Sequence, residues 1–202
     1  MDKTKHLFPA EEVTLPSKGL LYPKDSPLRK GIIEMKYMTA KEEDILTNPN
    51  LIENGTVIDK LLESLIVTPI DYNTLLTGDK DAILVASRIL GYGKDYTFTH
   101  RGEEITIDLT TIKDKQLDKK LLIDGKNEFK FTLSTSKIPV TFKLLTHKDE
   151  QQMQKELKGL KKLNKQVSNE LSTRMKYILT SIDGDYEKNT IREFVDTQFL
   201  AR

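Results

Sequence analysis

Hydrophobic residues in this chain change their spacing twice, from threes and fours to strict alternation and back, and that order limits the folds open to it. In "TVIDKLLESLIV" Ile58, Leu61, Leu62, Leu65 and Ile66 make the stripe of a helix over 57–67. "GDKDAILVASRILGYG" continues the pattern, with Asp79 and Asp81 in the first turn, where the helix dipole favours acids, and Gly91 and Gly93 at the end. "DYTFT" and "EITIDL" then alternate around "HRGE", which predicts a hairpin turning at Gly102. "FKFTL" and "VTFKL", joined by "STSKIP", predict a second antiparallel hairpin, each with one apolar face. From Thr146 the helical period returns. Met153, Leu157, Leu160, Leu163, Val167, Leu171, Met175, Ile178 and Ile182 predict one long amphipathic helix over 153–182, with Thr146 and Asp149 as its cap. After the turn "DGDYE", Ile191, Phe194, Val195 and Phe199 stripe a C-terminal helix.

Upstream, four of the seven prolines (Pro9, Pro16, Pro23, Pro27) fall within the first 27 residues. Proline fixes φ and pushes the preceding residue toward extended backbone, so residues 1–30 read as an extended docking arm. "GIIEMKYM" alternates as a half-buried strand, and Thr39 with Glu42 has capping-box spacing for a short helix that Asn48-Pro49 should stop. Thr56 and Asp59 repeat that signal. The expected class is α+β: an N-terminal extended arm (1–30), an α+β core (31–146) with a helical cluster and two antiparallel β-hairpins, and a helical C-terminal part (147–202) packing on the core or on a partner.

Composition narrows the function classes. The 202 residues hold no cysteine, which excludes disulfides and thiolate metal sites. The formal net charge is only +1, against a dedicated nucleic-acid binder, and no apolar run approaches the roughly 20 residues of a membrane span. The N-terminal "MDKTKHLFPAEE" lacks the apolar stretch of a secretory signal, so a soluble cytoplasmic protein is expected.

Chemical motifs fail one by one. "LPSKGLLYP" (15–23) sets Ser17, Lys18 and Gly19 together, but a phosphate loop needs GxxxxGK[ST] between strand and helix. "DGDYEKNTIREF" puts Lys188 and Phe194 where a calcium loop requires glycine and glutamate. His6, His100 and His147 share no ligand spacing, and the carboxylates of "EED" (42–44) and "EE" (103–104) read as solvated surface. "NGT" (54–56) reads as a turn into a helix cap. Lys155, Lys158, Lys161, Lys162 and Lys165 interleave with the leucine stripe as a solvated helix face does, and no aromatics accompany them to stack bases. No catalytic residue, metal site or cofactor is expected.

"LPSKGLLYP", followed by a strand and "MTAKEEDIL", resembles the amino-terminal signature of the T4-like phage baseplate protein family, the hub subunits and hub assembly factors of contractile tails. The resemblance continues in order through "TGDKDAILVASRILGYGKDY", the first hairpin, "KLLTHKDE" and "SIDGDYEKNTIREFVD". Its most specific parts are Leu15–Pro23, Thr39–Asp44, Gly78–Asp79, and Arg88 with Tyr92–Gly93. Relatives often carry a cysteine pair near the first hairpin tip; this chain has "THRGEE" there, so no metal role carries over. Relatives also tend to continue past "FVDTQFLAR", so Phe199 and Leu200 are expected to lack their usual cover.

The resemblance implies a non-enzymatic part, or a catalyst of assembly, of the baseplate hub. Its partners would be other hub or tail proteins, its place the host cytoplasm during assembly and the tail baseplate if retained. Leu15, Pro16, Ser17, Lys18, Gly19, Leu20, Leu21, Tyr22 and Pro23 are the candidate contact residues, with Lys18 facing a partner carboxylate. The rival expectation for the same arm is that it covers its own domain. Two other functions stay open: a chaperone holding the tape-measure protein against Leu157, Leu160, Leu163, Val167 and Leu171, and a nucleic-acid binder using the lysine run.

Overall fold

The computed structural model describes residues 9–113, 125–163 and 169–199. The fold is α+β: seven α-helices and three small antiparallel sheets among the described residues. The chain forms two compact units, Met1–Tyr72 with Gly78–Leu117, and Asn73–Thr77 with Asp118–Arg202. Neither expected division, after residue 30 or after residue 146, is a boundary between these units. The N-terminal loop packs into the first unit's core, and a strand near residue 180 joins the second hairpin.

In the first unit, strand β1 (Ala10–Thr14) pairs antiparallel with β2 (Ile32–Lys36), setting Val13 opposite Ile33. Residues 15–31 between them are a closed loop, which corrects the extended arm. Its ends meet where the Leu15 amide donates to the Gly31 carbonyl at 2.8 Å, and a 3-10 turn over Pro27–Lys30 carries Leu28 into the core. Glycine allows this closure twice. Gly19 and Gly31 have φ of 73° and 71°; a Cβ on Gly31 would lie 2.6 Å from the Lys18 carbonyl carbon, and one on Gly19 would meet the Arg29 carbonyl.

Helix α1 (Ala40–Leu46) starts with the expected capping box between Thr39 and Glu42. Pro49 does more than stop it. With Asn48 as N-cap accepting from the Asn50 and Leu51 amides, Pro49 opens a helix of its own, α2 (Pro49–Asn54), which Gly55 ends. Helix α3 (Val57–Leu65) buries Leu61, Leu62 and Leu65, as its stripe predicts, but Thr56 makes no side-chain cap. Asp59 instead takes an ion pair from Lys80 at 2.9 Å and a hydrogen bond from Tyr72. Helix α4 (Thr77–Tyr92) ends at Gly93; Gly91 lies inside it, where a Cβ would meet the Met38 sulfur. Strands β3 (Asp95–His100) and β4 (Glu103–Asp108) form the expected hairpin, turning on Arg101 and Gly102, both with positive φ.

In the second unit, β5 (Phe129–Thr132) and β6 (Pro139–Phe142) form the second hairpin, and β6 also pairs with β7 (Leu179–Ile182). The single long helix expected over 153–182 is therefore corrected to α5 (His147–Leu163), α6 (Glu170–Ile178) and then β7. Thr146 and Asp149 make the expected cap, the Thr146 amide and hydroxyl both donating to Asp149 Oδ2. Helix α7 (Lys188–Thr197) sets Ile191, Phe194 and Val195 against Val140, Leu179 and Ile182. Each such side chain stabilises by about 1.5–3 kcal/mol when fully buried. The Leu75 carbonyl and Thr77 amide bond to the backbone on either side of Thr146, tying this short segment into the unit.

Candidate protein-protein interface

The residues of "LPSKGLLYP" divide by burial. Leu15, Ser17, Leu21 and Tyr22 are buried, Gly19 is enclosed, Pro16 and Leu20 are half-buried, and only Lys18 and Pro23 stand exposed. Asp79, 1% exposed in the first turn of α4, holds the loop. It accepts from the Ser17 amide at 2.9 Å, the Ser17 hydroxyl at 2.7 Å and the Tyr22 phenol at 2.6 Å. The Arg29 guanidinium adds a bond to the Leu20 carbonyl at 2.9 Å. Leu15, Leu21 and Tyr22 therefore cover their own domain, as the rival expectation for the arm had it. Two of the segments that carry the resemblance, Leu15–Pro23 and Gly78–Asp79, meet in this one knot.

A third, Thr39–Asp44, contains Glu42, which is fully buried and so corrects the reading of "EED" as solvated surface. Its carboxylate accepts from Lys36 (2.8 Å), Ser64 (2.6 Å) and both the amide and hydroxyl of Thr39 (2.9 and 2.6 Å). Burial disfavours the charge, but these bonds outweigh it and hold the carboxyl at about 2. Among the described residues no buried side-chain nitrogen or oxygen lacks a hydrogen-bond partner.

The fourth segment leads to exposed surface. Arg88 of α4 donates to the Gly93 carbonyl at 3.0 Å and lies 5.0 Å from the centre of the Tyr92 ring and 5.7 Å from that of Tyr96. It clamps the start of β3 onto the end of the helix. Across the ribbon's base Lys94 pairs with Asp108 at 2.6 Å; Lys94, and then Thr110, hold the Asp108 carboxyl at about 2.

Above that clamp every residue of β3 is exposed. Register sets Tyr96 opposite Ile107 and Phe98 opposite Ile105, so these four side chains share one face. Tyr96 is 42% exposed, Phe98 37% and Ile107 39%. Thr97, Thr99, Glu104 and Thr106 make the other face, with Thr97 and Thr106 hydrogen-bonded at 2.8 Å. The alternation of "YTF" and "ITI" signalled a hairpin with one apolar face, but it could not signal that Tyr96, Phe98 and Ile107 stay exposed.

The second unit holds an apolar cleft of about 570 Å³ lined by Phe131, Leu133, Leu171, Met175, Val195 and Phe199. Leu171 is 69% exposed at its rim. Of the expected helix face, Leu157 is buried, Leu160 is half-buried, and Val167 and the Leu163 side chain lie outside the described residues. The stripe is thus divided between α5 and α6. Lys155, Lys158, Lys161 and Lys162 are exposed on α5, while Lys165 lies outside the described residues. Glu156 turns away from them to accept from Arg192 at 2.8 Å and Tyr177 at 3.0 Å. His100 is exposed on β3, His147 is buried 2.9 Å from Gln151, and His6 lies outside the described residues. Asp183 and Gly184 form the expected turn.

No protein-family model, curated protein or solved structure matches this chain.

Proposed function

We propose that the chain is a non-enzymatic component or assembly factor of a contractile phage tail baseplate, acting at the central hub through protein-protein contacts. The exposed apolar face of the β3–β4 ribbon carries this reading: a rigid, helix-clamped strand pair with aromatic side chains in solvent is a form suited to docking on another protein. The ordered resemblance of Leu15–Pro23, Thr39–Asp44, Gly78–Asp79 and Arg88 with Tyr92–Gly93 supplies the baseplate context. The contact site moves accordingly, away from Leu15, Leu21 and Tyr22 and onto Tyr96, Phe98 and Ile107, with Lys18 and Pro23 left as exposed neighbours of the buried loop.

The test is affinity capture of the tagged chain from cells assembling such tails. Baseplate hub proteins should co-purify with the unaltered chain and be lost with Tyr96→Ser/Phe98→Ser. Capture that brings down no tail protein overturns the reading. A second reading, a chaperone for the tape-measure protein that leaves before maturation, is favoured by the cleft around Leu171 and Met175 in the second unit. Purified mature tails separate the two: a hub component is present in them, whereas a departing chaperone appears only in the lysate.

A further inference from the structure

The ribbon's two edges differ in charge. The outer edge of β4 bears Glu103 and Glu104 and no basic residue, Asp108 being paired with Lys94, so two copies of it would repel. The β3 edge carries both signs, Asp95 at its base and Arg101 at its tip, and among the described residues neither side chain forms an ion pair. We infer that the β3 edge is a self-association site, at which a second copy of this chain pairs antiparallel to make a four-stranded sheet.

Backbone geometry supports the pairing. The turn at Arg101 and Gly102, with φ of 52° and 85°, is a two-residue loop of the type that fits the twist of a hairpin. Such a loop makes His100 and Glu103 a hydrogen-bonded pair. Alternation then points the amides and carbonyls of His100, Phe98 and Tyr96 toward β4, and those of Asp95, Thr97 and Thr99 outward. The Asp95 carbonyl meets the Arg88 guanidinium at 3.5 Å, so the outward groups of Thr97 and Thr99 are the template for another strand.

Two-fold symmetry narrows the register. Partners across an antiparallel pair share a face, so the axis must pass through one residue opposite its own copy. Centring on Phe98 puts Asp95 opposite the second copy's Arg101, Tyr96 opposite its His100, and Thr97 opposite its Thr99 through backbone bonds. Phe98 then meets its own copy in a non-hydrogen-bonded pair, where side chains approach closest. Centring on Thr97 would oppose Lys94 to His100, and centring on Thr99 would oppose Arg101 to Thr97; both lose the ion pairs. The Phe98 register also joins the two apolar faces of Tyr96, Phe98, Ile105 and Ile107 into one surface. An edge contact this short buries less than about 1,000 Å², so association is weak and concentration-dependent.

The purified chain alone provides the test, independent of any tail protein, so it stands or falls separately from the baseplate reading. Sedimentation equilibrium from micromolar to millimolar concentration should show a monomer-dimer equilibrium that salt weakens. Asp95→Arg and Arg101→Asp should each raise the dissociation constant at least tenfold, and the double variant D95R/R101D should restore it. Glu104→Arg, on the far edge, should leave it unchanged. Because the chain has no cysteine, Phe98→Cys under oxidised glutathione should give a reducible covalent dimer, and Thr106→Cys should not. A chain that stays monomeric throughout, charge reversals without effect or without rescue, or equal cross-linking at positions 98 and 106 would each overturn the assignment.

Discussion

Asp79 and Ser17 are 62 residues apart in sequence, yet the carboxylate takes both hydrogen bonds Ser17 can donate as well as the Tyr22 phenol. In the sequence Asp79 is legible only as an acid in a helix's first turn; nothing local names its partners, which chain reversal brings together. Asp79→Ala leaves buried donors unsatisfied and should cost about 3 kcal/mol, read as a fall in the urea midpoint. Tyr22→Phe should cost about 1 kcal/mol, and the two effects should be non-additive in a double-mutant cycle. Additive losses would mean that the phenol and carboxylate act separately. Glu42 gives a pH signature. Its folded carboxyl is held at about 2, below its ordinary 4.5, so the ionised form is favoured by folding. That stabilisation is complete above about pH 5 and is lost as pH falls from 4.5 toward 2, to a total of up to about 3 kcal/mol. Urea midpoints measured across that range should fall more steeply for the unaltered chain than for Glu42→Gln; parallel curves would refute it.

At the scale of elements, amphipathic helices and hairpins were legible where a period ran unbroken. Leu61, Leu62 and Leu65 mark α3, and Tyr96, Phe98, Ile105 and Ile107 mark the ribbon. Strand β1, "AEEVT", was not, because its residues are mostly solvent-facing and only pairing with β2 makes it a strand. The break between α5 and β7 was hidden by a coincidence. Ile178 and Ile182 keep a helical spacing of four, while Leu179 and Ile182 are buried as strand residues beside β6. The N-terminal loop was hidden differently: prolines promised extended backbone, and it was the glycines that decided the closure. Gly19→Ala both strains φ and drives a methyl onto the Arg29 carbonyl, so it should cost more than about 2 kcal/mol. Gly55→Ala has positive φ but nothing within 4 Å, so its loss should be smaller, about 1 kcal/mol. Thermal or urea midpoints of the two variants check the order, and equal losses would remove steric closure as the explanation.

For the whole molecule, the consequential fact is that the second unit has a packed apolar cluster of its own, while the first buries a separate set of apolar side chains. Val140, Leu179, Ile182, Ile191, Phe194 and Val195 all belong to the second unit. Leu15, Leu21, Leu28, Ile33, Met35, Leu62, Leu65 and Ile83 are buried residues of the first. Sequence periodicity located Ile33, Met35, Leu62, Leu65, Ile191, Phe194 and Val195 without assigning them to centres and missed Leu28 and Leu179, because which stripe meets which depends on the third strand and on the loop, the two features it did not disclose. A unit with its own core loses stability as a unit when that core is damaged. Phe194→Ala, truncating a buried side chain on α7, should cost about 3–4 kcal/mol. Hydrogen exchange should then accelerate in β5–β7 and α5–α7 while the amides of β2, α3 and α4 keep their protection. Asp79→Ala should give the converse pattern, with β2, α3 and α4 opening first. If either substitution instead accelerates exchange uniformly through both sets of elements, the two centres melt as one cooperative body and the division into units has no thermodynamic meaning.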